Sequence, residues 1–183
     1  TYSRTNTAEA VGTYTGVLTA SYSANKNYTV TVVPGNFEIK TASIKDAALN
    51  AAGGSWTYDG TAHSASATVT GAEGYTVYYK VGENDWTTTA PSVTNVSEGK
   101  LTVSVKATRT GYVDLTAKDV TIEITARPVT ITVANASKFF DEKDPAFTGS
   151  ITSGKLVAAG DLGTITYSRT NTAEAVGTYT GVL

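Results

Sequence analysis

Residues 1–18 read TYSRTNTAEAVGTYTGVL, and residues 166–183 read TYSRTNTAEAVGTYTGVL again. Thr1 maps onto Thr166 and Leu18 onto Leu183, an offset of 165 positions. Chance does not produce an identity of this length. It marks a tandem array of that period, of which the chain spans slightly more than one repeat. Both chain ends are then expected to fall inside a folding unit. The stretch itself is strand-like. Tyr14, Gly16 and Leu18 alternate with Thr13, Thr15 and Val17, which is the two-residue period of a β-strand.

The same alternation continues outward from both copies. After the turn cluster Ala24-Asn25-Lys26-Asn27, a strand is expected over Tyr28–Val33, with Tyr28, Val30 and Val32 on one face. Pro34-Gly35-Asn36 turns the chain into a closing strand, Phe37–Lys40. Residues 42–127 carry Asp59-Gly60, a hairpin signal, then strands at Tyr75–Val81 and Leu101–Thr108 and around Val120, Ile122 and Ile124. Leu101, Val103, Val105 and Ala107 are expected inward. About seven short strands at regular spacing suggest a sandwich. Residues 128–183 open with Val129, Ile131 and Val133, and Phe139, Phe140 and Phe147 are the expected core anchors. A helical turn is expected within Leu156–Leu162, closing near Gly160, with strands at Thr164–Arg169 and Gly177–Leu183.

The expected organisation is therefore all-β, as tandem small domains in an elongated rod. Residues 1–41 form the C-terminal part of one domain, 42–127 a complete β-sandwich, and 128–183 the N-terminal part of the next. Residues 128–183 followed by 19–41 would make one whole domain, and with 42–127 they fill the period.

Composition narrows the functional classes. The chain has no cysteine and no methionine, which removes disulfides, thiolate nucleophiles and Cys-based metal sites. Its net charge of −2 provides no basic field for nucleic acid or an anionic membrane. The apolar runs are too short for a transmembrane helix, so no membrane insertion is expected in this segment. Abundant Thr, Val and Tyr fit a pleated surface. Charged residues make up only 16% of the chain, which leans toward an extracellular setting.

At this point two families are recognisable. The domain made of 128–183 and 19–41 resembles the MBG repeats of bacterial surface adhesins, with a β-grasp or sandwich-like fold. The matching pieces are Pro128-Val129-Thr130-Ile131-Thr132-Val133, Phe140-Asp141-Glu142-Lys143-Asp144-Pro145, Glu174-Ala175-Val176-Gly177-Thr178-Tyr179, Asn27-Tyr28-Thr29-Val30 and Pro34-Gly35-Asn36-Phe37. Members of that family usually carry aromatic-Gly-Asp at the second piece. Here Phe140-Asp141-Glu142 stands instead, so a different loop is expected. Residues 42–127 resemble the Ig-like repeats that accompany MBG repeats in Firmicutes. That resemblance rests on Tyr58-Asp59-Gly60-Thr61-Ala62-His63, Glu73-Gly74-Tyr75-Thr76-Val77-Tyr78-Tyr79 and Ala107-Thr108-Arg109-Thr110-Gly111-Tyr112. Together the resemblances imply a stalk or adhesive repeat on a bacterial cell surface.

Candidate chemistry is thin. His63 is the only histidine, and no nucleophile-elbow pattern accompanies it. No catalytic residue and no cofactor is expected. Asp141, Glu142, Asp144 and Asp161 could gather oxygens around Ca²⁺, although their spacing is not that of an EF-hand. The bland reading of these acids is a solvated loop. Trp56, Trp86 and Tyr78, with Tyr58 and Tyr79, could offer a sugar-stacking face, against the plainer reading that the tryptophans pack the sandwich edges. Asn-X-Ser/Thr matches at Asn27, Asn95 and Asn135 are read as incidental.

The expected function is a structural repeat unit of a semi-rigid extracellular stalk, about 70–80 Å per repeat from strand lengths. Its partners would be neighbouring repeats, head to tail, and a host glycan or surface protein. Two alternatives stand beside it. One is a head-to-tail filament joined by strand complementation. The other is a carbohydrate-binding module using the exposed aromatics.

Overall fold

A computed structural model describes all 183 residues, and the chain is all-β, built as small β-domains. The strands are β1 (Tyr2–Arg4), β2 (Gly12–Ala20), β3 (Gly35–Ile39), β4 (Ala48–Ala52), β5 (Gly54–Thr57), β6 (His63–Ser64) and β7 (Ser66–Thr70). They continue with β8 (Thr76–Val81), β9 (Ser92–Val93), β10 (Leu101–Thr108), β11 (Leu115–Thr125), β12 (Thr130–Val133) and β13 (Gly149–Ser153). One 3₁₀ turn spans Val96–Glu98. The sheets are β1-β2-β3, β5-β11-β10-β8, and the pairs β12-β13, β4-β7 and β6-β9.

Two compact units emerge. The first is Thr1–Gly54 with Ser64–Ser92 and Lys100–Ile122, and the second is Ser55–His63 with Val93–Gly99 and Glu123–Leu183. These limits cut through β5, β6, β9 and β11, whereas the borders expected from sequence near residues 41 and 127 fall between strands.

In the first unit, β10 is the central strand. Its alternation places Val103, Val105 and Ala107 fully inside, as the pattern predicts. Val105 lies opposite Tyr79 of β8, and Val103 lies between Val81 of β8 and Val120 of β11. Leu49 of β4, paired with Val69 of β7, closes over this sheet, with β4 against β10 and β7 against β8. Buried Leu49, Tyr79 and Ile122 complete the core. Val103, Val105, Ile122 and Tyr79 are β-branched or aromatic, the types that pack well on a pleated surface.

The duplicated stretch in this unit departs from strict alternation. Tyr14 is half-buried and Val17 is buried, three positions apart. A β-bulge reconciles them. The register of β2 against β3 shifts between Tyr14 and Leu18, and Gly16 takes φ 65° there, where glycine suffers no Cβ clash. Asn36 Oδ1 accepts from the Gly16 N–H at 2.9 Å and pins the bulge.

Several expected strands are not strands. Tyr28–Val33 is irregular, with Tyr28 72% exposed. In the second unit, Thr164–Arg169 and Gly177–Leu183 are also irregular. None of these segments joins a sheet, and the backbone bonds they make, such as Tyr28 N to Asn25 O and Thr170 N to Val182 O, are isolated turn and loop contacts rather than a ladder. Leu156–Leu162 holds a turn, with Gly160 at φ 96°, in place of the expected helical turn. Phe139 and Phe140 are 80% and 69% exposed, and Phe147 is only half-buried, so they do not anchor a closed core. No residue from 126 to 183 is fully buried. Ordered strand pairing in that region is confined to β12 and β13, which set Ile131 opposite Ile151.

Candidate functional site

The two copies of the duplicated stretch share a set of local bonds. Asn6 Oδ1 accepts from Ala8 N at 2.9 Å, and Asn171 Oδ1 accepts from Ala173 N at 2.8 Å, the same Asx turn. Tyr14 donates its hydroxyl to Ala10 O at 2.7 Å, and Tyr179 does so to Ala175 O at 2.7 Å. Thr5 N donates to Val17 O and Thr170 N to Val182 O. Arg4 pairs with Glu9, and Arg169 pairs with Glu174. This local structure is therefore intrinsic to the stretch, because its surroundings differ between the copies.

In the first copy, β3 covers the hairpin. Tyr14 faces Phe37 and Thr13 faces Glu38, and the Arg4 guanidinium lies 4.7 Å above the Phe37 ring. That geometry is a cation–π contact.

In the second copy the hairpin meets an ion cluster. Arg169 Nη2 lies 3.2 Å from Asp144 Oδ2, and Lys138 Nζ lies 3.0 Å from Asp144 Oδ1. Lys138 also bridges to Glu174 and donates to Glu142 O at 2.8 Å. The hydrogen bonds from Lys138 and then Arg169 hold the Glu174 carboxyl below its usual range. The hydrogen bonds to Glu174 and Asp144 push Lys138 up, and the bond to Glu174 leads the rise in Arg169. Two cations and two anions thus neutralise one another, a network of the kind that exceeds isolated surface pairs.

Beside this cluster opens a cleft of about 740 Å³, lined by Phe139, Phe140, Phe147, Arg169, Tyr179 and Leu183 among others. Gly177, Thr178 and Gly181, the counterparts of Gly12, Thr13 and Gly16, also face it. The face that β3 covers in the first copy is open in the second.

The sequence candidates are scattered. Asp144 belongs to the ion cluster, and Asp161 accepts from Ala158 N at 2.9 Å. Glu142 accepts from Phe139 N, while Asp141 is exposed. The structure does not bring Asp141, Asp144 and Asp161 together, and no group of three or more acidic or histidine side chains is placed to hold a metal ion. Lys106 Nζ lies 4.4 Å from the centre of the Trp86 ring and 6.0 Å from that of Tyr78, so a cation already occupies one face of each. Trp56 stacks on His63 at 4.8 Å. His63 Nε2 is 3.1 Å from both oxygens of Asp59, whose carboxyl is lowered to about 2, first by the Thr61 backbone N–H, then by the Thr61 hydroxyl and His63. This cluster ties the Asp59-Gly60 turn to β6, with Gly60 at φ 78°.

Sequence reasoning missed Lys138, Arg169 and Glu174. The readable signal was Arg and Glu five residues apart inside a duplicated stretch, in both copies.

No curated protein and no solved structure matches this chain. A family model does: residues 129–182 match the MBG domain (YGX type). The YGX of that description sets a glycine after an aromatic residue. Asp141 follows Phe140 and is the one non-glycine residue with positive φ, at 69°. The loop expected to differ thus holds the left-handed conformation that glycine favours. The C-terminal part of the chain, residues 129–182, is similar to an MBG domain.

Proposed function

We propose that this chain is a structural repeat unit of an extracellular bacterial surface protein, in which MBG-like domains alternate with Ig-like β-sandwiches to form a semi-rigid stalk. The observation that carries the reading is the duplicated stretch, identical over 18 residues and making the same internal bonds in both copies. The match of residues 129–182 to an MBG domain supports it, since MBG domains are repeat domains of surface proteins. The Ig-like assignment of 42–127 draws support from the sheet β5-β11-β10-β8 with the β4-β7 pair closing over it. The candidate site offers paired charges and an open strand-sized cleft, features that suit joining β-domains.

In this reading the function is mechanical. Repetition spaces a tip away from the cell, or multiplies weak contacts through avidity. Electron microscopy of a chain carrying several 165-residue periods tests it. The reading predicts an extended rod with a period of roughly 70–80 Å. Compact or randomly coiled particles would refute it. Protease shaving of the source cells tests the location: released peptides from this sequence are expected, and their recovery only after lysis would overturn the surface assignment.

A further inference from the structure

We propose that Ala42 is a tension clasp, which fastens the segment leaving β3 to the turn between β10 and β11 so that a pull along the chain is borne in shear. Both sides of the clasp lie in the first unit. Ala42 N donates to Gly111 O at 2.9 Å, and Val113 N donates to Ala42 O at 2.9 Å. The two bonds bracket Tyr112, and they make Ala42 and Tyr112 a parallel bridge outside the named strands.

The receiving turn is held from the segment that precedes β8. Tyr75 donates its hydroxyl to Val113 O at 3.0 Å, and Arg109 Nη1 donates to Glu73 O at 2.8 Å. The Arg109 guanidinium lies 3.9 Å from the centre of the Tyr112 ring, a cation–π contact, and Tyr112 N closes the turn on Arg109 O at 3.0 Å. These contacts fix the carbonyl and the amide that Ala42 uses.

Direction gives the clasp its use. From Tyr112 the chain runs on into β11, and in a parallel bridge the segment through Ala42 runs the same way. Further along, Gly53 lies against β11, where a Cβ would sit 2.1 Å from Thr121 O. The entering chain thus meets Tyr112 first and Thr121 later, advancing in the same sense as β11. Tension draws the chain before Ala42 one way and β11 the other. Parallel neighbours drawn apart in this way slide along each other, so both clasp bonds carry the load together. Pulled from one end, the same bonds open in turn. The clasp's use in the organism rests on the stalk reading, but the contact and its direction do not.

Hydrogen exchange on the unsubstituted chain tests the contact. The Ala42 and Val113 amides are expected to exchange about tenfold more slowly than those of Thr41 and Asp114, as bonded amides must open first. Equal rates would overturn the clasp. Single-molecule pulling tests the load, with handles on cysteines introduced into a chain that has none of its own. Lys40→Cys with Ala126→Cys loads the clasp in shear, and Lys40→Cys with Thr110→Cys peels it. The first rupture is expected at a force about twofold higher in shear, because two bonds share the load. Ala42→Pro, which removes one donor at an exposed position, is expected to lower the shear force and leave the peeling force nearly unchanged. Equal forces in the two directions, or a shear force that Ala42→Pro does not alter, would overturn the proposal. None of these readings depends on the rod seen by electron microscopy, so the clasp and the stalk can fail separately.

Discussion

Arg4 and Arg169 hold the same place in the duplicated stretch, yet Arg4 lies over the Phe37 ring while Arg169 is held 3.2 Å from Asp144. Each shows half of the environment that a whole domain of this repeat would give one arginine. Aromatic contact comes from the segment following the hairpin, and the carboxylate comes from the segment preceding it. In the proposed repeat, this arginine is the residue at which the two halves of one domain would meet.

The ion cluster makes the second unit sensitive to acid. Glu174 has a folded pKa below its ordinary value of 4.5, so its contribution is fully present above that value. It is lost as pH falls through the depressed folded value. Thermal melts from pH 7 down to pH 2.5 should show a loss of stability setting in below about 4.5. Glu174→Gln should be less stable at pH 7 and flatter across that window. An unchanged pH profile in the variant would rule out Glu174 as a source.

Asp59 predicts a second acid step, read locally. Its carboxyl is lowered from 3.8 to about 2, chiefly by the Thr61 backbone N–H, so its stabilising effect is present above 3.8 and fades between there and about 2. Trp56 stacks on His63, which Asp59 holds, so tryptophan fluorescence should report the step. Asp59→Asn should remove the transition between pH 4 and 2. Persistence of the full step would assign it elsewhere.

Asp141 bears φ 69° without the freedom of glycine. Asp141→Gly should raise stability by about 0.5–1 kcal/mol, since a left-handed L-residue is strained by that order. Asp141→Val should lower it, because a β-branched residue tolerates this region least. Chemical denaturation measures both, and a stability loss in the glycine variant would show that the aspartate side chain itself secures the turn.

Gly16 and Gly181 share φ 65°, but only Gly16 lies in a paired strand. Gly16→Ala should cost about 1–2 kcal/mol through backbone strain and a disturbed bulge. Gly181→Ala should cost less, because the strain is relieved where no ladder fixes the backbone. Equal losses in the two melts would mean that strand pairing does not stiffen the first copy.

The sequence was most legible where a strand has neighbours on both sides. The alternation in Leu101–Thr108 identified β10 and its inward residues because tertiary packing and local pattern agree there. It misled at Tyr28–Val33 and Gly177–Leu183, where the same pattern exists without a strand paired to it. Alternation is a capacity for pairing, and only a partner realises it. The bulge at Gly16 was hidden for another reason: from Tyr14 to Leu18 the strand takes four steps where β3 takes two, and glycine in a strand signals such an irregularity only weakly. Of the candidate site, the duplicated stretch was plain, whereas the cluster of Lys138, Asp144, Arg169 and Glu174 joins residues far apart in sequence and follows only from the fold.

The most direct measurement concerns residues 166–183 in a chain where Leu183 is followed by a second copy of residues 19–41. Hydrogen exchange would be read at the amides of both hairpins. Repeat-unit folding predicts that protection at Gly177–Leu183 rises to match that at Gly12–Leu18, with Thr178 and Tyr179 slowed as Thr13 and Tyr14 are. If those amides still exchange as fast as in the present chain, the duplicated stretch is not the shared strand of a repeating domain, and the account fails at its centre.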